Sequence, residues 1–90
     1  MGGHIAASFQ EACEKVAKAK TRLAHVDNTA LGYLYGHYKQ ATAGDCSMSE
    51  PRVWDVKNRA KFCEWNKLRG MNSKAAMKCY IKVANSLLEA

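Results

Sequence analysis

Apolar residues along this chain recur at steps of three and four, and nowhere alternate long enough to make a strand. Ile5, Phe9, Ala12, Cys13, Val16 and Ala19 trace one stripe, while Glu11 with Lys15 and Glu14 with Lys18 occupy the other side at i,i+4. This spacing predicts a first helix fading around Thr21-Arg22, then a connection over Leu23 to Val26. Asp27 or Asn28 can cap a second helix by accepting a bond from the free amides of its first turn. The apolar rows of that helix are Leu31-Tyr35 and Leu34-Tyr38-Thr42, and Gly44 supplies the stop. Asp45 to Pro51 reads as a surface loop. A third helix is expected over Val53 to Arg69, closed by Gly70. A fourth starts from Asn72 or Ser73 and buries Met77, Tyr80, Ile81, Ala84, Leu87 and Leu88. The pattern predicts one all-α domain over residues 1–90, a small four-helix bundle.

Composition narrows the class. A chain of 90 residues with 48% hydrophobic and 24% charged residues can bury one modest core, so it is not a disordered tail. No apolar run reaches the roughly 18–20 residues that span a bilayer. The N-terminus lacks the basic start and apolar centre of a signal peptide, and Ala6 stands where myristoylation of Gly2 wants Ser or Thr. A cytoplasmic monomer is the expectation. Cys13, Cys46, Cys63 and Cys79 are too widely spaced for a CxxC pair. They are expected as free thiols, the three on helices packed as small apolar side chains, with no metal site. The formal charge of +6 calls for an anionic partner: nucleic acid, an acidic membrane or a phosphorylated small molecule.

There is no HExxH, GxSxG or phosphate-cradling glycine loop, and His4, His25 and His37 have no acidic or cysteine partner at a useful spacing. The expectation is a binding protein without catalytic residues or cofactor. Tyr35, Tyr38 and Lys39 share one helical face, Lys61 and Trp65 stand at i,i+4 on the third helix, and Tyr80 is on the fourth. Trp54 and Trp65 both fit the helix-packing pattern and are expected in the core. Two phenols beside an ammonium are costly to bury without partners and suit a ligand carrying a flat ring and a phosphate. The alternative is a small basic nucleic-acid module of the high-mobility-group-box type. That type usually needs a basic N-terminal arm, and Met1 to Ser8 contain no Lys or Arg.

The segment Leu34-Tyr35-Gly36-His37-Tyr38-Lys39-Gln40-Ala41-Thr42-Ala43-Gly44-Asp45 resembles the signature of acyl-CoA-binding proteins. Further matches follow in order: Glu50-Pro51, Ala60-Lys61-Phe62, Trp65-Asn66-Lys67-Leu68 and Ala76-Met77-Lys78-Cys79-Tyr80-Ile81. The resemblance implies an up-down-down-up four-helix bundle that binds, buffers and transports medium- to long-chain fatty acyl-CoA esters. Transient contacts with membranes or acyl-CoA-using enzymes would follow. It also implies that Tyr35, Lys39 and Lys61 hold the ribose 3′-phosphate, that Tyr38 stacks on adenine, and that Tyr80 closes the site. Gly36 and His37 carry over as ligand neighbours within the signature. The acyl tail would lie near Ala12, Cys13, Val16, Leu31 and Gly32.

The chain departs from the family pattern at several positions. Val26 stands where a proline usually opens the second helix, after a longer connection, and Phe62 where a tryptophan is usual. The ligand-contacting base of the first helix is replaced by Ala17, with Lys18 and Lys20 its nearest substitutes. Gly32 replaces a bulkier apolar residue, which implies an acyl groove that is wider or ends elsewhere, and so an altered chain-length preference.

Overall fold

The stripe of the first helix and the stripe of the last are complementary, and the chain folds to bury one against the other. The computed structural model describes residues 2–26 and 28–89. Its helices are α1 (Gly2–Lys18), α2 (Lys20–Leu23), α3 (Asn28–Ala43), α4 (Val56–Asn66) and α5 (Ser73–Glu89), and no strand occurs among the described residues. The four long helices make the up-down-down-up bundle. The long loop of residues 44–55 carries the chain back so that α4 can lie against α3. Helix α5 packs on both α1 and α3, and α4 packs on α3.

The core is correspondingly narrow. Phe9 and Ala12 of α1 and Leu34 and Ala41 of α3 close on Ala76, Tyr80 and Ala84 of α5. Ala76 and Ala84 have no exposed surface, so small side chains let α5 approach its two neighbours closely. The Glu11–Lys15 pair forms at 3.1 Å on the solvent side of α1.

Local signals explain most of the helix ends. Gly44, at φ +80°, stops α3, and Gly70, at φ +92°, turns the chain before α5. Asn72 caps α5, its Oδ1 accepting from the Ala75 amide at 2.8 Å. Asn28 is the first residue of α3, and Asp27 lies outside the described residues.

Four expectations need correction. The first helix breaks at Ala19, and what reads as its fading end plus a connection becomes the separate turn α2. That turn is anchored by buried Leu23 and by Arg22 donating to the Leu88 carbonyl at 3.3 Å. The third helix starts at Val56 rather than Val53, because the chain after Pro51 makes a turn, with the Asp55 amide bonded to the Arg52 carbonyl at 2.9 Å. Trp54 therefore stands in solvent at 74% exposure, although its spacing suggests core. Cys63 is likewise exposed, and the buried thiol is Cys46 in the loop; all four cysteines are free.

Trp65, by contrast, is buried, and its Nε1 donates to the Gly44 carbonyl at 2.8 Å. Around it a polar latch ties the end of α3 to the start of α5. Buried Gln40 donates from Nε2 to Asp45 Oδ1 and to the Met71 carbonyl, both at 2.9 Å. Asp45 Oδ1 also accepts from the Gly70 amide at 2.8 Å, and Ser73 Oγ donates to the Ala41 carbonyl at 2.7 Å. The amide of Gly70, then Gln40 and Arg69, hold the Asp45 carboxyl below the usual carboxylate range.

The tightest helix contact is set by a glycine. A Cβ on Gly36 would fall 2.5 Å from the Glu64 carbonyl oxygen, so α4 can sit where it does only because none is there. Gly32, one turn earlier, faces the Glu64 side chain, where a Cβ would meet Cγ at 3.0 Å. This overturns the expectation that Gly32 widens an acyl groove. Gly36→Ala should destabilise the fold by about 1–3 kcal/mol despite its better helix propensity, because backbone cannot yield. Gly32→Ala, which meets only a flexible side chain, should stay within about 1 kcal/mol of wild type. Urea denaturation of both variants checks the contrast.

Candidate functional site: a phenol-lined cleft between three helices

Leu31, Leu34, Tyr35 and Tyr38 fall at i, i+3, i+4 and i+7, so α3 presents them as one wall. Cys13, Val16 and Ala17 of α1 form the facing wall, and Tyr80 of α5 closes one side. The cleft between them has a volume of about 410 Å³. A second hollow of about 290 Å³ continues from it, sharing Val16 and Leu31 and ending on Lys20, Leu23 and Ala24. The two together make an apolar furrow that runs from the tyrosines to α2.

The wide end is aromatic. Tyr38 stacks on Phe9 with centroids 6.0 Å apart and lies 6.3 Å from Tyr80, whose ring meets Phe9 edge-on at 5.2 Å. Tyr38 is 43% exposed, leaving much of it free for a ligand. Burial pushes the Tyr80 hydroxyl well above its ordinary pKa, and the neighbouring Cys13 adds to the shift. Burial also raises the Cys13 thiol, against a smaller opposing effect of its hydrogen bond with Tyr80. Both groups are neutral at physiological pH, so this wall carries no negative charge to repel an anion.

Positive charge sits at the rim. Lys61 Nζ lies 5.6 Å from the centroid of Tyr35, and Lys39 Nζ 4.9 Å from that of Trp65. Both ammoniums are held on aromatic faces, and neither is in an ion pair among the described residues. The nearby Glu64 is matched to Lys67 at 2.8 Å.

Of the residues expected at a site, Tyr35, Tyr38, Tyr80, Cys13, Val16 and Leu31 line the cleft. Ala17 lines it too, without contributing a charge. Lys61 and Lys39 stand on α4 and α3 beside it. Four expected residues are placed elsewhere. Ala12 is buried toward α5, Gly32 and Gly36 face Glu64, and His37 is 3% exposed. The His37 ring stacks on Tyr33 at 3.9 Å, and its Nδ1 donates to the Tyr33 carbonyl at 2.8 Å. Gly36 and His37 thus serve helix packing and leave little surface exposed. Leu34, Leu23 and Ala24 complete the furrow. The i+3 step from Leu31 pointed to Leu34, but nothing in the sequence separated Leu23 and Ala24 from a connection.

A family model described as "Acyl CoA binding protein" matches residues 6–84. The chain belongs to that family. It is 35% identical over 79 residues to the acyl-CoA-binding domain-containing protein 6 homolog of Dictyostelium discoideum, a match covering 88% of this chain and 27% of that protein. The chain thus spans about a quarter of that relative's length. Among solved structures, the acyl-CoA-binding protein 2 of Oryza sativa superposes with a TM-score of 0.82 at 35% identity. That match covers 94% of this chain and 91% of the rice chain.

The thiols offer a direct check on the cleft. Native alkylation with iodoacetamide should modify exposed Cys63 first and buried Cys46 last. Cys13 should lag Cys63, since a raised pKa lowers its thiolate fraction. Peptide mass mapping over a time course reads the order.

Proposed function

We propose that this chain is a non-enzymatic carrier that binds fatty acyl-CoA esters, buffers their free concentration and transports them within the cytoplasm. The observation that carries this reading is one juxtaposition. An apolar furrow opens beside two exposed-edged phenols and two rim ammoniums. Family membership supports the ligand class.

In this reading Lys61 and Lys39 meet the ribose 3′-phosphate with Tyr35, and Tyr38 stacks on adenine. A phosphate bears close to two negative charges, and each charge-assisted bond to it contributes about 1.5–3 kcal/mol. The tail enters between Cys13 and Leu34, passes Val16 and Leu31, and ends against Leu23. Each buried methylene adds about 0.8 kcal/mol. Head-group contacts therefore select the molecule, and tail length sets the affinity. The missing base at Ala17 leaves Lys61 and Lys39 to meet the phosphate.

Calorimetric titration with palmitoyl-CoA, octanoyl-CoA, free CoA and duplex DNA tests the reading. Palmitoyl-CoA should bind far more tightly than free CoA; binding to DNA alone would favour the nucleic-acid alternative. Lys61→Ala should weaken palmitoyl-CoA and free CoA by a similar amount, about 1.5–3 kcal/mol. A second variant addresses the tail. Leu31→Trp, at the junction of the two hollows, should weaken palmitoyl-CoA while sparing octanoyl-CoA, and an unchanged ratio would place the tail elsewhere.

A further inference from the structure

The turn ahead of α4 carries apolar surface that the furrow does not use. Val53 and Trp54 are each 74% exposed and Val56 is 71% exposed, the three most exposed large hydrophobic residues among those described. They cluster on a short knuckle held in shape by the Asp55–Arg52 backbone bond and by Arg59, which donates to the Pro51 carbonyl at 3.0 Å. The Arg52 guanidinium lies over the Trp54 ring, 5.5 Å from its centroid.

The charges around the knuckle are unevenly matched. Glu50 is paired with Arg59 at 3.2 Å, while the Asp55 carboxylate accepts only from the neutral Asn58 amide, at 2.9 Å, and keeps its charge. Against that one carboxylate stand Arg52 and Lys57, neither in an ion pair among the described residues. The surface offered is therefore apolar at its tip and net cationic at its base.

We propose that the knuckle of residues 52–57 docks the protein on an anionic phospholipid bilayer. An indole with a guanidinium against its face fits the headgroup level, where aromatic rings are favoured and Arg can meet lipid phosphate with paired N–H bonds. Val53 and Val56 reach the acyl boundary beside it, and Lys57 adds attraction to the negative leaflet. A second copy of the chain is a poorer occupant. Three side chains on a turn fall well short of the roughly 1,200–2,000 Å² that a stable protein interface buries, and two such cationic bases repel. The site is separate from the furrow: Trp54 and the valines line neither hollow.

Sedimentation of the full chain with large phosphatidylcholine vesicles, with and without phosphatidylserine, tests the proposal. Wild type should partition onto the anionic vesicles, weakly onto the neutral ones, and less at high salt. Its tryptophan emission should shift to the blue, because Trp54 is the exposed indole and Trp65 is already buried. Trp54→Ala should lower the partition coefficient about tenfold and Lys57→Ala about fivefold. Both should keep the wild-type melting temperature and palmitoyl-CoA affinity. No ligand is needed for the vesicle measurement, so the docking result is independent of the furrow's occupant. Equal partitioning of wild type and Trp54→Ala would overturn the proposal. So would equal binding to neutral vesicles, or a Trp54-dependent dimer that ignores vesicles.

Discussion

The contact between the Gly36 backbone and the Glu64 carbonyl governs how α4 lies on α3, and with it the cationic pole of this molecule. With no side chain on α3 at that point, α4 settles at backbone distance instead of resting on a layer of side chains. That depth brings Lys61 over Tyr35 and puts Trp65 under Lys39. A helix held farther out would leave the same residues on the same faces, with the ammoniums too far from the phenols to share a ligand. The residue with no chemistry of its own is therefore the one that assembles the cationic pole.

A second constraint keeps that pole from shearing. Gln40 has its amide nitrogen committed twice, to Asp45 and to Met71, and Asp45 commits one oxygen to both Gln40 and the Gly70 amide. These bonds join the end of α3 to the segment between α4 and α5, while Trp65 ties α4 to the Gly44 carbonyl. The Gln40 side-chain oxygen is left without a partner among the described residues. A buried amide half-satisfied in this way costs stability, and it persists because its nitrogen holds two elements in register. Among the described residues the furrow side has no comparable network. Its walls meet through apolar contacts, ring packing and the hydrogen bond between Cys13 and Tyr80.

Periodicity disclosed the helices because each apolar stripe is long enough to average over single exceptions. Phe9, Ala12, Leu34, Tyr80 and Ala84 are buried as their spacing implies. Where one residue decides, spacing is a poor guide. Trp54 sits at a helical interval from its neighbours, yet the turn after Pro51 delays α4 by less than one helical turn, and that leaves the ring in water. Gly32 and Gly36 read as a groove and a ligand contact because the pattern does not tell which neighbour a small residue admits. His37 lies in the same signature as Tyr35 and Tyr38, but two residues along a helix from Tyr35 means about 200° of rotation, toward Tyr33 and the interior. Tyr35, Tyr38 and Lys39 stand out as a group because two phenols and an ammonium at i, i+3 and i+4 have few reasons to be together in a core. Spacing alone does not bring Lys61 and Tyr80 to them.

Helix α2 gives the furrow its far end. The segment that apolar spacing leaves as a fading helix and a connection folds into a turn. One buried leucine and one arginine bond to α5 suffice to hold it. Because α2 and the Ala24 that caps it supply Lys20, Leu23 and Ala24 to the second hollow, this turn builds the far wall of the furrow. The cationic pole is fixed by backbone contact and a polar network, whereas the far end of the furrow rests on a four-residue turn. Changes in that turn can therefore reshape the furrow without disturbing Tyr35, Lys39 and Lys61.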